Sequence, residues 1–480
     1  MRGVGWLGAF ALGVFLLGLT PAQADALTAC TAQDIVNQDP GCPAGGTCTI
    51  TGTFEVPNGC VLDFGSRAVV LQGTLRVGSG MMTVRSGPFR IEQSGFVDAR
   101  GNTSAQPNGG TVSFLVLGNF GTTSSHSNGR FRSTPEGEQE PGAAWRSTPR
   151  DRWKSGGWWT PSNLSSSADG GTVSIRSGEN LIVAAGASLR ARGGSNSGGG
   201  GEIDLIAGGD VLLAGSLDAS GPEGGTVSIE AGGRVEASTV AVGSTGGGGA
   251  GGTVDISSGE ELVLDGEVAA SGSGTSEFGG CGGEISLEAG FGDLTARGPL
   301  IANGGGPDGE GGAVSAASAG DLRLEATVSA SGTGGDSCGG TVEIDCGRSL
   351  AATGTIDVSG GFAGGEVSIA AELAASLGPL AAQGRAGGSE GGAVDIAAAA
   401  LFLPKKIDVS GGGCSYEYGC GTAGSLDVSV CDLSLASTGK LDASAPKTGE
   451  GGTGGTISIT ARRSVVVAGT IDATAAEEGT

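Results

Sequence analysis

Gly225-Thr226-Val227-Ser228-Ile229 and Gly252-Thr253-Val254-Asp255-Ile256 decide the fold of this chain. In each, a glycine introduces a strand that alternates polar and apolar residues. The same unit stands at Gly171–Ile175, Gly340–Ile344 and Gly455–Ile459, and it recurs about every 28 residues. A unit this short cannot bury its own apolar side, so it must stack on copies of itself. The residue opening the strand falls at Thr111, Thr172, Glu202, Thr226, Thr253, Glu284, Ala313, Thr341, Glu366, Ala393, Ser425 and Thr456.

Three extended pieces fill each interval. The second is apolar, as in Asp210-Val211-Leu212-Leu213, Glu261-Leu262-Val263-Leu264 and Asp321-Leu322-Arg323-Leu324. The third ends in an aspartate signature: Leu217-Asp218-Ala219-Ser220-Gly221, Ile356-Asp357-Val358-Ser359-Gly360, Ile407-Asp408-Val409-Ser410-Gly411, Leu441-Asp442-Ala443-Ser444. The fold predicted is all-β: a right-handed single-stranded parallel β-helix with about three short strands per coil of about 28 residues. Alternation sends columns such as Val254–Ile285 and Ile256–Leu287 inward, with coils about 4.8 Å apart. The thin interior leaves little room for aromatic rings. Corner glycines are expected to supply positive φ. Helical periodicity is nowhere sustained, and Ala397–Ala400 reads as small residues inside a coil rather than a helical turn.

The 480 residues include 100 glycines but only 16 prolines, without a three-residue glycine period, which excludes collagen. The evenly spaced β-branched strands argue against a disordered linker. The net charge of −24 argues against nucleic acid, whose phosphates need a basic surface.

The first 24 residues read as a signal peptide: Arg2, an apolar run from Val4 to Leu19, then Ala22-Gln23-Ala24. Leu27-Thr28-Ala29-Cys30 has the form of a lipid-attachment box but stands away from the apolar run. No later stretch is long enough to cross a bilayer, so the mature chain is expected to be exported, extracellular or held at the cell surface. Cysteines in such a chain suggest disulfides. Cys30, Cys42, Cys48 and Cys60 fall in 25–68, read as a cap and first coil. Cys414 and Cys420 flank a short loop and are expected to pair. Cys281, Cys338, Cys346 and Cys431 are unassigned. Zinc is the competing reading, but no finger spacing is present and His126 is the only histidine. Irregular coils are expected over 69–121 and regular ones over 169–480. No cofactor is implied, and association end to end through an open terminal coil is an expectation.

The repeated Ile-Asp-Val-Ser-Gly and Gly-Gly-Thr-Val-Ser-Ile units resemble the coils of filamentous-haemagglutinin-like bacterial surface exoproteins. The resemblance covers about residues 95 to 475 outside one loop, and implies a secreted protein acting in adhesion or as a surface fibre. The asparagine-rich secretion motifs of two-partner exoproteins are absent, and a cysteine-rich segment stands in their place.

Two features invite a chemical reading. The interval from Thr111 to Thr172 is about twice the usual length, and 122–168 gathers Arg130, Arg132, Arg146, Arg150, Arg152, Lys154, Trp145, Trp153, Trp158 and Trp159. Indoles can stack on sugar rings and guanidinium groups can grip acids. Trp145, Arg150, Arg152, Trp153, Trp158 and Trp159 are therefore the candidate ligand-binding residues, toward a surface glycan or another protein; the bland alternative is that the indoles pin the loop to the rod. Stacked carboxylates are the second feature: Asp395 with Asp427, and Asp408 with Asp442 and Asp472. Their spacing, about 5 Å, is near that of a retaining glycosidase, but any repeated Asp in this fold produces it, and these columns are expected to meet mostly Ser, Thr and Ala. The expectation is a non-enzymatic scaffold or adhesin. The alternative is a polysaccharide-binding or pectate-lyase-like enzyme, which needs two carboxylates and a basic residue converging beside the loop.

Overall fold

The computed structural model describes residues 26–92, 94–99, 108–123, 130–132, 168–194, 197–275, 278–415, 419–445 and 452–475. They form a parallel β-helix of about 13 coils, its strands joined in one 39-stranded sheet. Each coil contributes a strand to each of three faces. On the first face the glycine-led strands run in unbroken register: Val227 pairs with Val254, Val254 with Ile285, and Ile285 with Val314. These residues are at most 2 % exposed. The alternation read from the sequence thus buries one side of every strand and wets the other.

Two expectations about the interior need correction. The early coils do hold aromatics: Phe89, Phe114 and Phe120 form a buried cluster, with Phe89 and Phe120 stacked at 5.8 Å. Large rings fit where the coils have not yet settled into the regular repeat. The corner glycines act mostly through close approach and not through positive φ. A Cβ on Gly340 would stand 1.9 Å from the Gly312 carbonyl oxygen, one on Gly365 2.0 Å from that of Gly340, and one on Gly392 2.0 Å from that of Gly365. The first glycine of the pair is as confined, since a Cβ on Gly339 would meet the Val358 oxygen at 1.8 Å. The positive-φ glycines, such as Gly186 and Gly388, lie in other turns.

The N-terminal end is closed by a helix the sequence reading did not foresee. Helix α1 (Ala32–Gln38) starts at a capping box between Thr31 and Asp34. It lays Ile35, fully buried, over the first coil. Disulfides Cys30–Cys60 and Cys42–Cys48 pin this cap. Asp39, 3 % exposed, accepts hydrogen bonds from the N–H groups of Gly41, Thr51 and Gly52 and from the Thr51 hydroxyl. Burial opposes its charge, but these four donors outweigh it and lower its pKa.

In the later coils the first corner disappears, and Glu366–Leu377, Ala393–Leu403, Ser425–Leu435 and Thr456–Val467 each run as one long strand. Ala397–Ala400 lies inside one of them. Ile457 and Ile459, expected inward, are only half-buried, because no further described coil covers them. Among the described residues no helix is long and apolar enough to cross a membrane.

Candidate functional site

The long interval between Thr111 and Thr172 is one coil carrying an insertion. Thr111 pairs directly with Thr172, and the register holds through Val116 and Ser177. Part of the segment read as 122–168 is described and stands in the stack. Phe120–Thr122 belongs to the second face, and Arg130–Arg132 is a third-face strand that pairs with Phe96–Asp98 before it and Ser188–Arg190 after it. Residues 133–167 lie outside the described residues. Trp145, Arg150, Arg152, Trp153, Trp158 and Trp159 lie outside the described residues, as does His126.

Beside this coil, on the second face, lies a groove of about 690 Å³. Its floor follows the outward row Val70–Arg90–Gly121–Ile182, successive register partners. Among the described lining residues Arg90 is the one cation and there is no carboxylate; its guanidinium is paired with Glu92. Asn119 and Asn180 edge the groove. Each uses Oδ1 to accept a backbone N–H from the next coil, that of Asn180 at 3.0 Å and that of Asp210 at 2.8 Å. The Asp at the start of the second piece has the same task further along: Asp210 accepts from the Arg234 N–H and Asp293 from the Asp321 N–H.

The aspartate columns stack as the sequence implied. Asp395 lies opposite Asp427, and Asp408, Asp442 and Asp472 follow one another on the third face. The chemistry of the third-face column is already occupied. In the Asp-x-Ser signature, Oδ1 accepts from the hydroxyl two residues on, at 2.6 Å in Asp218–Ser220, Asp408–Ser410 and Asp442–Ser444. This side-chain turn closes the corner. The other oxygen meets a cation. Arg385 is 2.8 Å from Asp357, and Lys406 is 2.6 Å from Asp408 and 2.8 Å from Asp442. Lys440 is 2.7 Å from Asp442 and 3.3 Å from Asp472.

The expectation that the columns meet mostly Ser, Thr and Ala is therefore wrong where Lys406 and Lys440 interleave them. The missed signal was Lys406-Ile407-Asp408 and Lys440-Leu441-Asp442, a spacing that puts both charges on one side of a strand. Burial opposes the charge on Asp442. Hydrogen bonds from Lys406, Lys440 and Ser444 outweigh it and bring the carboxyl down to about 2. The Lys440 ammonium is raised, first by its hydrogen bond to Asp442. A general acid or base works best with a pKa near the working pH. These groups are held away from it on both sides, so the ladder is a structural lock.

Among the described residues Cys281, Cys338, Cys346 and Cys431 are free thiols, and Cys346 is buried. The backbone sets Cys414 opposite Cys420 across a two-strand ribbon, and Cys420 is disulfide-bonded. No group of three or more potential metal ligands occurs among the described residues. Comparison with known protein families and with curated proteins finds no match.

Proposed function

We propose that this chain is an exported, non-enzymatic β-helix protein, an adhesin-like scaffold at the cell surface or outside it. It presents the Arg/Trp-rich segment within 122–168 to glycans or to another protein. The observation that carries the reading is the register between Thr111 and Thr172, which passes the insertion without a break. A rod that holds its stack independently of an inserted segment is free to use that segment for recognition, as loops on rigid scaffolds do. The locked Lys–Asp ladder adds support, because the carboxylates of the third-face column are engaged by Lys406 and Lys440.

The test is a glycan array with the chain from residue 26 onward, beside a variant lacking 133–167. Binding that disappears with the segment, in a variant whose circular dichroism is unchanged, supports the assignment. Binding that survives the deletion refutes it. Release of reducing or unsaturated ends from polysaccharides by the intact chain would favour the enzyme reading.

A further inference from the structure

We infer that the second-face groove over Gly121 is a seat for one saccharide ring. The inference rests on the glycan-binding role proposed above and gives it a second contact point on the rod itself. Gly121 lies in the middle of the strand Phe120–Thr122, where glycine weakens pairing and offers nothing to pack. The fold does not require it there. Its φ is not positive, and a Cβ built on it meets nothing within 4 Å among the described residues. The corner glycines are different, since a Cβ there would strike backbone. The other described glycines with such open space, Gly45, Gly46, Gly59, Gly65, Gly335 and Gly413, all lie outside strands. A strand glycine that neither conformation nor crowding demands fits a place kept open for a ligand.

The opening has the size and chemistry of a sugar site. Arg90 and Ile182 stand one coil to either side of Gly121, so two coil spacings, about 10 Å between backbones, separate them. Val70 and Ile182 supply apolar walls, and Ile182 is 38 % exposed. Asn119 and Asn180 have committed Oδ1 to backbone N–H groups, so the hydrogens on each Nδ2 are what they offer a ligand. Arg90 adds further donors, and Thr123 lines the same groove. Apolar walls for ring C–H groups with several donors for hydroxyl oxygens suit a pyranose. Beneath, the stacked Phe89 and Phe120 rings hold the floor rigid.

The experiment uses the full chain from residue 26 on an array of neutral and uronate-containing oligosaccharides, with titration calorimetry on any that bind. Gly121→Val fills the notch, and thermal melting should be unchanged because no described atom lies within 4 Å of the added Cβ. Ala351→Val, in the same outward row further along the rod, is the control. The expected result is a tenfold or greater loss of affinity in Gly121→Val and none in Ala351→Val. Unchanged affinity in Gly121→Val, or no saccharide bound by the intact chain, overturns the inference. Loss on deleting 133–167 with no loss in Gly121→Val would leave the segment assignment standing and remove this one.

Discussion

Lys406 binds Asp408 on its own strand and Asp442 on the next coil, placing its Nζ 2.8 Å from the Asp442 carboxylate. Lys440 repeats the arrangement one coil later, toward Asp442 and Asp472. The two lysines thus tie three coils together along one face. Stacking would otherwise bring like charges about 5 Å apart, and the interleaved ammonium groups turn that repulsion into cohesion.

This ladder gives the rod an acid limit. Asp442 has an ordinary value of 3.8, and the fold lowers it to about 2. Its contribution is fully present above about pH 4, declines as the pH falls from 4 toward 2, and is gone below that. The shift corresponds to about 2 kcal/mol. Lys440→Met is expected to move the acid unfolding midpoint upward, measured by circular dichroism against pH. An unchanged midpoint would mean that the ladder contributes nothing. The raised lysines work in the opposite sense, their contribution present below their ordinary value of 10.5 and lost as the pH rises above it.

Glycine pairs at the corners are required by crowding. Gly340→Ala places a methyl against the Gly312 oxygen and is expected to cost about 2 kcal/mol or more. Gly335→Ala, where a Cβ meets nothing, is expected to stay within about 0.5 kcal/mol of the parent. Urea unfolding of the two variants checks the contrast, and equal stability would contradict it.

The cap depends on its disulfides. Cys30–Cys60 closes a separation of 30 residues, and a bridge of that span stabilises by about 3.6 kcal/mol. The Cys30→Ser/Cys60→Ser variant should lose that amount and expose the first coils. Hydrogen exchange should then quicken over Cys48–Ile91 before it changes near Val254. Uniform quickening along the rod would show that the cap is not a separate closing element.

The repeat was legible because stacking is one-dimensional. Once Val227, Val254 and Ile285 are aligned, the register of every coil between Thr172 and Thr456 follows. The reading failed where the reason was local or lay between coils. Helix α1 is only seven residues long, too short for periodicity, although the Thr31-x-x-Asp34 box marks its start. The crowding at Gly340 depends on the carbonyl of Gly312, which no single repeat contains. Lys406 and Lys440 escape a reading down the aspartate columns, because each stands two residues before its aspartate on the same strand. Gly121 carries no pattern at all: its meaning comes from the space above it, open among the described residues.

The in-register rod is tested most directly by distances along one outward row. Nitroxide labels at Ser174 and Ser286, four register steps apart, should give a narrow distribution near about 19 Å, from steps of about 4.8 Å. Labels at Ser174 and Ser458, ten steps apart along the same row, should give about 48 Å. A second distance no longer than the first, or a broad distribution for either pair, would contradict the stacked rod and every assignment built on it.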